Sequence, residues 1–152
     1  ELDPETGHVE IIDYLGIADV GQVLHPQGLD AQIRGAAVMG FGLAALERYV
    51  YDPAYGRPNA RGLYQSKPPT YLDVPANLDS LAVKGAYDKQ NPVGAKGVGE
   101  PIMGAASSAY LSAVAEAMDG QLLNRVPIVA DQIINAMAKQ PQSHKILQTN
   151  CQ

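Results

Sequence analysis

The chain has 152 residues, of which 46% are hydrophobic and 18% charged, with a formal net charge of −5. That balance describes a globular domain able to bury a core and excludes a disordered chain. An acidic chain with no basic cluster interleaved with aromatics also argues against nucleic-acid binding.

The opening ELDPETGHVEIIDYLGIADVG (1–21) reads as a turn followed by a strand. Val9, Ile11, Leu15 and Ile17 fall on alternate positions, with Asp13 interrupting that face. DPETG, with Pro4 and Gly7 at its two ends, is a hairpin connection. Only Glu1 and Leu2 precede it, so a partner strand for residues 8–17 is expected from elsewhere. The expectation is a fragment, or one piece of a split protein. The opening residues do not read as a signal peptide.

In HPQGLDAQIRGAAVMGFGLAALERYVYD (25–52), Leu29, Ile33, Ala37, Gly40, Phe41 and Ala44 recur at helical spacing, and Glu47 and Arg48 close the pattern. The face is built of Ala and Gly, which lets a backbone or a ligand come close. Its apolar core, GAAVMGFGLAAL, is about twelve residues long, too short to span a membrane. YVYDPAYGRP (49–58) reads as a strand and hairpin turn. SKPPTYLDVPANLD (66–79) is extended and broken by prolines. SLAVKGAY (80–87) is a short strand.

A second amphipathic helix carries Leu111, Val114, Ala115 and Met118, and a third follows Pro127 with Ala130, Ile133, Ile134 and Met137. Pro127 suits the first turn of that third helix. The predicted class is α+β, with mixed or antiparallel strands and packed helices. Residues 1–152 form a single domain or fragment, ending in a polar tail from about residue 139. Cys151 is the lone cysteine, which excludes an internal disulfide framework and any thiolate cluster built by this chain alone. His8, His25 and His144 are scattered, so no side-chain metal site is expected.

Two glycine patterns compete for attention. GFGLAA (40–45) has the G-x-G-x-x-A outline of a dinucleotide site, which requires a strand before it and a helix opening at the glycines. Here the glycines fall inside a helix, where they serve close packing or close approach to a ligand. GAKGVGEP (94–101) lacks the Gly-Lys-Ser/Thr ending of a phosphate loop. Its Gly94, Gly97 and Gly99 permit torsions and approaches that side chains block. Pro101 is expected to hold Glu100 extended. A carboxylate held beside a dry ligand can act as a general base. It can equally cap the helix that follows, and both readings stand on these residues.

VGQVLHPQGLDAQIRGAAVMGFGLAALERYVYD followed by NPVGAKGVGEPIMGAASSAYLSAVAEAM resembles the C-terminal part of the molybdopterin-binding subunit of the xanthine dehydrogenase and aldehyde oxidase family. The resemblance runs from about residue 1 to residue 137. It implies an oxidoreductase that hydroxylates an aldehyde or N-heterocyclic carbon with water as the oxygen source. Glu100 falls on the family's base, which takes the proton of the hydroxide on molybdenum. Gly97, Val98 and Gly99 fall on backbone that lies against the cofactor, and Met39 and Gly40, in the glycine-rich helix, on further cofactor-binding positions. In the family a glutamine that contacts an oxygen ligand of the metal stands at the place of Met39, whose thioether cannot donate that bond.

The resemblance further implies molybdopterin, in a dinucleotide form, shared with the rest of the molybdenum subunit. Iron–sulfur clusters and FAD would sit on other domains or subunits, which with a small-molecule substrate complete the partners. The isolated chain is expected to turn over nothing. The alternative is a non-catalytic assembly or scaffold fragment that completes a partner subunit. A nicotinamide- or flavin-binding module based on GFGLAA is a third, weaker reading.

Overall fold

The computed structural model describes residues 1–143. Residues 144–152, with His144, Cys151 and most of the polar tail, lie outside the described residues. The architecture is a short β–α–β unit on which a second long helix packs. Strand β1 is Asp13–Ala18, helix α1 Pro26–Phe41, and a π-helical turn, Gly42–Leu46, extends it. Then come the four-residue helix α2 (Leu63–Ser66), a 3-10 turn at Tyr71–Asp73, strand β2 (Asn77–Ala82), and helices α3 (Glu100–Ala117) and α4 (Ala130–Met137).

The two named strands pair in parallel, Asp13 opposite Asn77 through Ala18 opposite Ala82. This corrects the expected antiparallel arrangement. The chain leaves β1, forms α1 and then returns to β2, and a helical crossover brings the second strand back in the same direction. Antiparallel pairing survives only as isolated bridges: Leu2 to Val9, Gly21 to Ala95 and Tyr51 to Pro58. The first of these closes the DPETG hairpin from Leu2 itself, and Glu10 N–H donates to the Glu1 carbonyl.

The alternation in β1 also has the opposite phase to the expected one. Leu15 and Ile17 are exposed, whereas Gly16 and Ala18 are buried against α1. A Cβ on Gly16 would sit 2.5 Å from Ile33 Cγ2, so the inner face must be built of small residues. Strand β2 starts three residues before the expected SLAVKGAY and stops at Ala82, ahead of a turn with Gly85 at φ +73°. The 66–79 segment is not wholly extended. Thr70 and Asp73 form a capping box that winds residues 71–73 into a turn. Pro127 lies ahead of α4, whose N-cap is Val129, so it does not open that helix.

Helix α1 starts where the sequence places it. His25 Nδ1 accepts from the Gly28 N–H at 2.6 Å, Pro26 supplies a fixed φ, and the ring fills the space a Gly28 side chain would need. The core lies between α1 and α3. One cluster gathers Ala37, Phe41, Ala44, Ala106, Tyr110, Val114 and Met118, closed by Ile128 and Ile133 near α4. A smaller one gathers Ala18, Val20, Ile33, Ala36 and Ile102. Ile33 is 1% exposed, and full burial of such a side chain is worth about 1.5–3 kcal/mol. At the crossing, a Cβ on Gly40 would lie 2.5 Å from the Met103 carbonyl oxygen and 2.8 Å from Ala106 Cβ. The helix pair closes because position 40 has no side chain.

Arg34 ties α1 to β2. Its Nε donates to Asp30 Oδ1 at 2.8 Å, its Nη2 stands 3.7 Å from Asp79, and Nη1 donates to the Leu78 carbonyl. The Ser80 hydroxyl also donates to Asp30. That hydroxyl first, and the guanidinium second, hold the Asp30 carboxyl below its ordinary range.

Candidate functional site

The glycine loop is held against the turn that leaves β1. Lys96 N–H donates to the Val20 carbonyl at 2.7 Å, and Gln22 N–H donates to the Gly94 carbonyl at 2.7 Å. Lys96 Nζ reaches Asp19 Oδ2 at 2.6 Å, while Asp19 Oδ1 accepts from Gly21 N–H at 3.0 Å. The Lys96 bond first, and the Gly21 amide second, draw the Asp19 carboxyl below its usual range. On the other side of the loop, Asn91 donates to the Ala95 carbonyl and to Asp88. The loop is therefore a built turn.

Beyond Lys96 the backbone is bare. A Cβ on Gly97 would meet nothing within 4 Å, so the main chain faces open space there. The N–H groups of Gly97, Val98 and Gly99 donate to no main-chain acceptor among the described residues. Val98 is fixed from below by the smaller core cluster. Gly99 is the N-cap of α3 at φ 154°, ψ −105°, a region that only glycine enters without strain. Glycine has no side chain to cap with; Pro101 carries no N–H, and Ile102 N–H donates to the Gly99 carbonyl at 3.0 Å.

Glu100 is the first residue of α3 and is exposed. Pro101 does not hold it extended; the break falls one residue earlier, at Gly99. A proline in the first turn loses no helical hydrogen bond, which leaves the residue before it free to join the helix. The negative charge at that position suits the helix N-terminus. Capping in the side-chain sense is absent, so the interaction of Glu100 with its own helix is one of charge and dipole.

A residue missed by sequence reasoning completes the arrangement. Gln32 Oε1 on α1 lies 3.9 Å from the point a Gly99 Cβ would occupy. The Gln32 amide and the Glu100 carboxylate thus flank the same bare segment. Gln32 also lines a cleft of about 190 Å³ together with Gln22, His25, Lys96 and Val98. Met39 follows Gln32 by about two turns on the same side of α1. The available signal was that helical spacing, which puts an amide on the Met39 face. Met39 itself is 52% exposed, while Gly40 is buried in the α1–α3 crossing. Gly40 and Gly42 lie within continuous helical backbone, so GFGLAA does not form the strand–turn–helix that a dinucleotide site requires.

These residues fit an oxygen-rich cofactor such as molybdopterin. Uncommitted N–H donors, an amide and an open glycine surface match a ligand made of hydrogen-bond acceptors. Among the described residues no group of three His, Cys, Asp or Glu side chains is placed to hold a metal ion. A larger cavity, about 660 Å³, lies elsewhere, beside Arg48, Tyr51 and Arg125, and includes none of these residues.

Comparison with known proteins points the same way. A family described as a molybdopterin cofactor-binding domain matches residues 1–75. The chain is 35% identical over 136 residues to the gamma subunit of the 6-hydroxypseudooxynicotine dehydrogenase complex of Paenarthrobacter nicotinovorans, covering 89% of this chain and 17% of that one. It is 28% identical over 138 residues to the nicotine 6-hydroxylase large subunit of the same organism, covering 90% and 16%. Among solved structures, quinoline 2-oxidoreductase from Pseudomonas putida 86 superposes with a TM-score of 0.80 at 26% identity, over 92% of this chain and 18% of that one. The chain thus spans less than a fifth of the curated relatives it matches. Together these matches support a molybdenum-binding part of the xanthine dehydrogenase family.

Proposed function

We propose that this chain is the base-bearing part of a molybdenum hydroxylase that transfers a water-derived oxygen to an electron-poor carbon of an aldehyde or N-heterocycle. The observation that carries the reading is the meeting of three features at one helix start: the bare Gly97–Gly99 backbone, the Gln32 amide and the exposed Glu100 carboxylate. The names of the relatives, which include nicotine and quinoline oxidoreductases, support the heterocycle class.

Bound molybdopterin would supply the two-electron redox chemistry. The chain's own residues supply the rest. The N–H groups of Gly97, Val98 and Gly99 donate to acceptors of the cofactor. The Gln32 amide donates to an oxygen near the reacting centre, the task that the thioether of Met39 cannot perform. Glu100 accepts, at a carboxylate oxygen, the proton of the oxygen that is transferred, and its exposure lets it pass that proton to solvent. Gly40 contributes indirectly, by letting α3 close on α1.

In this reading the cofactor is a dinucleotide form shared with the remainder of the molybdenum subunit. Iron–sulfur clusters and FAD on other domains or subunits would carry the electrons away, in keeping with relatives that are named as subunits.

The test is Glu100→Gln in the complete enzyme. A positioned general base is worth about 10²–10⁴ in rate, so kcat should fall by that factor with molybdenum content unchanged. Undiminished turnover would sink the assignment. It would favour the scaffold alternative, for which Met39 is the supporting feature.

A further inference from the structure

We infer that Lys96 and Asp19 form a positioning clamp for the base-bearing segment, so that this ion pair sets the geometry of Glu100 without touching substrate. The inference rests on the reading of Glu100 as the base.

Only three residues separate Lys96 from Glu100, and two of them are glycines. A segment so rich in glycine has only the Val98 side chain to pack against the core, and its glycines lose more conformational freedom on ordering than other residues do. Its geometry must therefore be imposed at its ends. The downstream end is α3 itself. In the middle, Val98 sits in the cluster of Val20, Ile33, Ala36 and Ile102. The upstream end is Lys96, held twice: N–H to the Val20 carbonyl at 2.7 Å and Nζ to Asp19 at 2.6 Å.

Asp19, one residue past the end of β1, is in turn fixed by Gly21 N–H at 3.0 Å. The clamp thus carries the position of the sheet across 77 residues of sequence to the loop. Both side chains are about half exposed, 43% for Lys96 and 49% for Asp19. An exposed pair of that kind adds little global stability. Placed at the root of a glycine hinge, however, it decides where the hinge starts. A displacement of about 1 Å at a reacting group can cost on the order of 10²-fold in rate, so a pair that is weak for folding can still be strong for catalysis.

The experiment uses the complete, cofactor-loaded enzyme. Lys96→Met removes the charge and keeps the length. Asp19→Asn keeps an acceptor for Gly21 N–H and weakens only the ion pair. Each variant should lower kcat by roughly 10- to 100-fold. Hydrogen exchange at Gly97–Glu100 should quicken by about tenfold or more, while that of α1 stays unchanged. Placed on top of Glu100→Gln, Lys96→Met should cost nothing further in rate, because the clamp acts through that carboxylate.

Unchanged exchange at Gly97–Glu100 in both single variants would overturn the clamp. So would an undiminished additional loss in the Glu100→Gln background. Normal turnover by Glu100→Gln alone would overturn the base assignment instead, and the exchange measurement would still decide the clamp.

Discussion

The resemblance to the family implies an amide donor at position 39, where this chain has methionine, and the proposed site draws on a different amide. Met39 cannot donate a hydrogen bond, but Gln32 lies on the same side of α1 and flanks Gly99. Removal of one donor aimed at developing charge costs about 10²–10³ in kcat. Gln32→Ala in the complete enzyme is therefore expected to lower kcat by that factor, while Met39→Gln changes it little. The opposite pattern, with Gln32→Ala silent and Met39→Gln faster than wild type, would return the task to position 39. Helical spacing puts Gln32 on the Met39 face, but its approach to Gly99 forms only when α1 docks on a loop far along the chain. Glu100 was legible because glycine, acid and proline follow one another locally.

At the scale of elements, glycines on α1 do two different jobs. Position 40 faces the Met103 carbonyl and Ala106, whereas a Cβ on Gly35 would meet nothing within 4 Å. Alanine is favoured over glycine within a helix by about 1 kcal/mol. At position 40 that gain is opposed by overpacking, which costs about 1–3 kcal/mol in a closed core. Gly40→Ala should thus destabilise the chain and Gly35→Ala should stabilise it by up to about 1 kcal/mol. Denaturant midpoints at constant m-value would read both. A Gly40→Ala variant as stable as wild type would mean that the helices do not close as tightly as described.

The helices were legible in advance because apolar residues at a period near 3.6 point to one face only. The strands were less so. Alternation in β1 identifies two faces without saying which is inner, and the larger residues Leu15 and Ile17 mislead. What settles the matter is Ile33 of α1, which leaves room only for Gly16. Parallel pairing likewise follows from α1 being the connection, a relation between elements that no single stretch contains. The glycine loop's own clamp, Asp19 to Lys96, joins distant segments and was invisible for the same reason.

Over the whole molecule, two carboxylates connect pieces that the core leaves loosely joined. Asp30 links α1 to β2 through Ser80 and Arg34, and Asp19 links the exit of β1 to the glycine loop through Lys96. Both carboxyls lie below their ordinary value of 3.8 in the folded chain. A group whose folded pKa is lowered contributes stability that is fully present above its unfolded value and is lost as pH falls through the folded value. The chain should therefore keep a constant denaturant midpoint from neutral pH down to about 5 and lose stability progressively below about 4. Both side chains are about half exposed, so added salt should shrink the effect by screening. The paired substitution Asp19→Asn with Asp30→Asn should lower stability slightly at neutral pH, as half-exposed pairs do, and flatten the acid limb. If the double variant shows the same acid limb as wild type, other carboxylates govern the transition, and these two links do not hold the β–α–β unit to its loop.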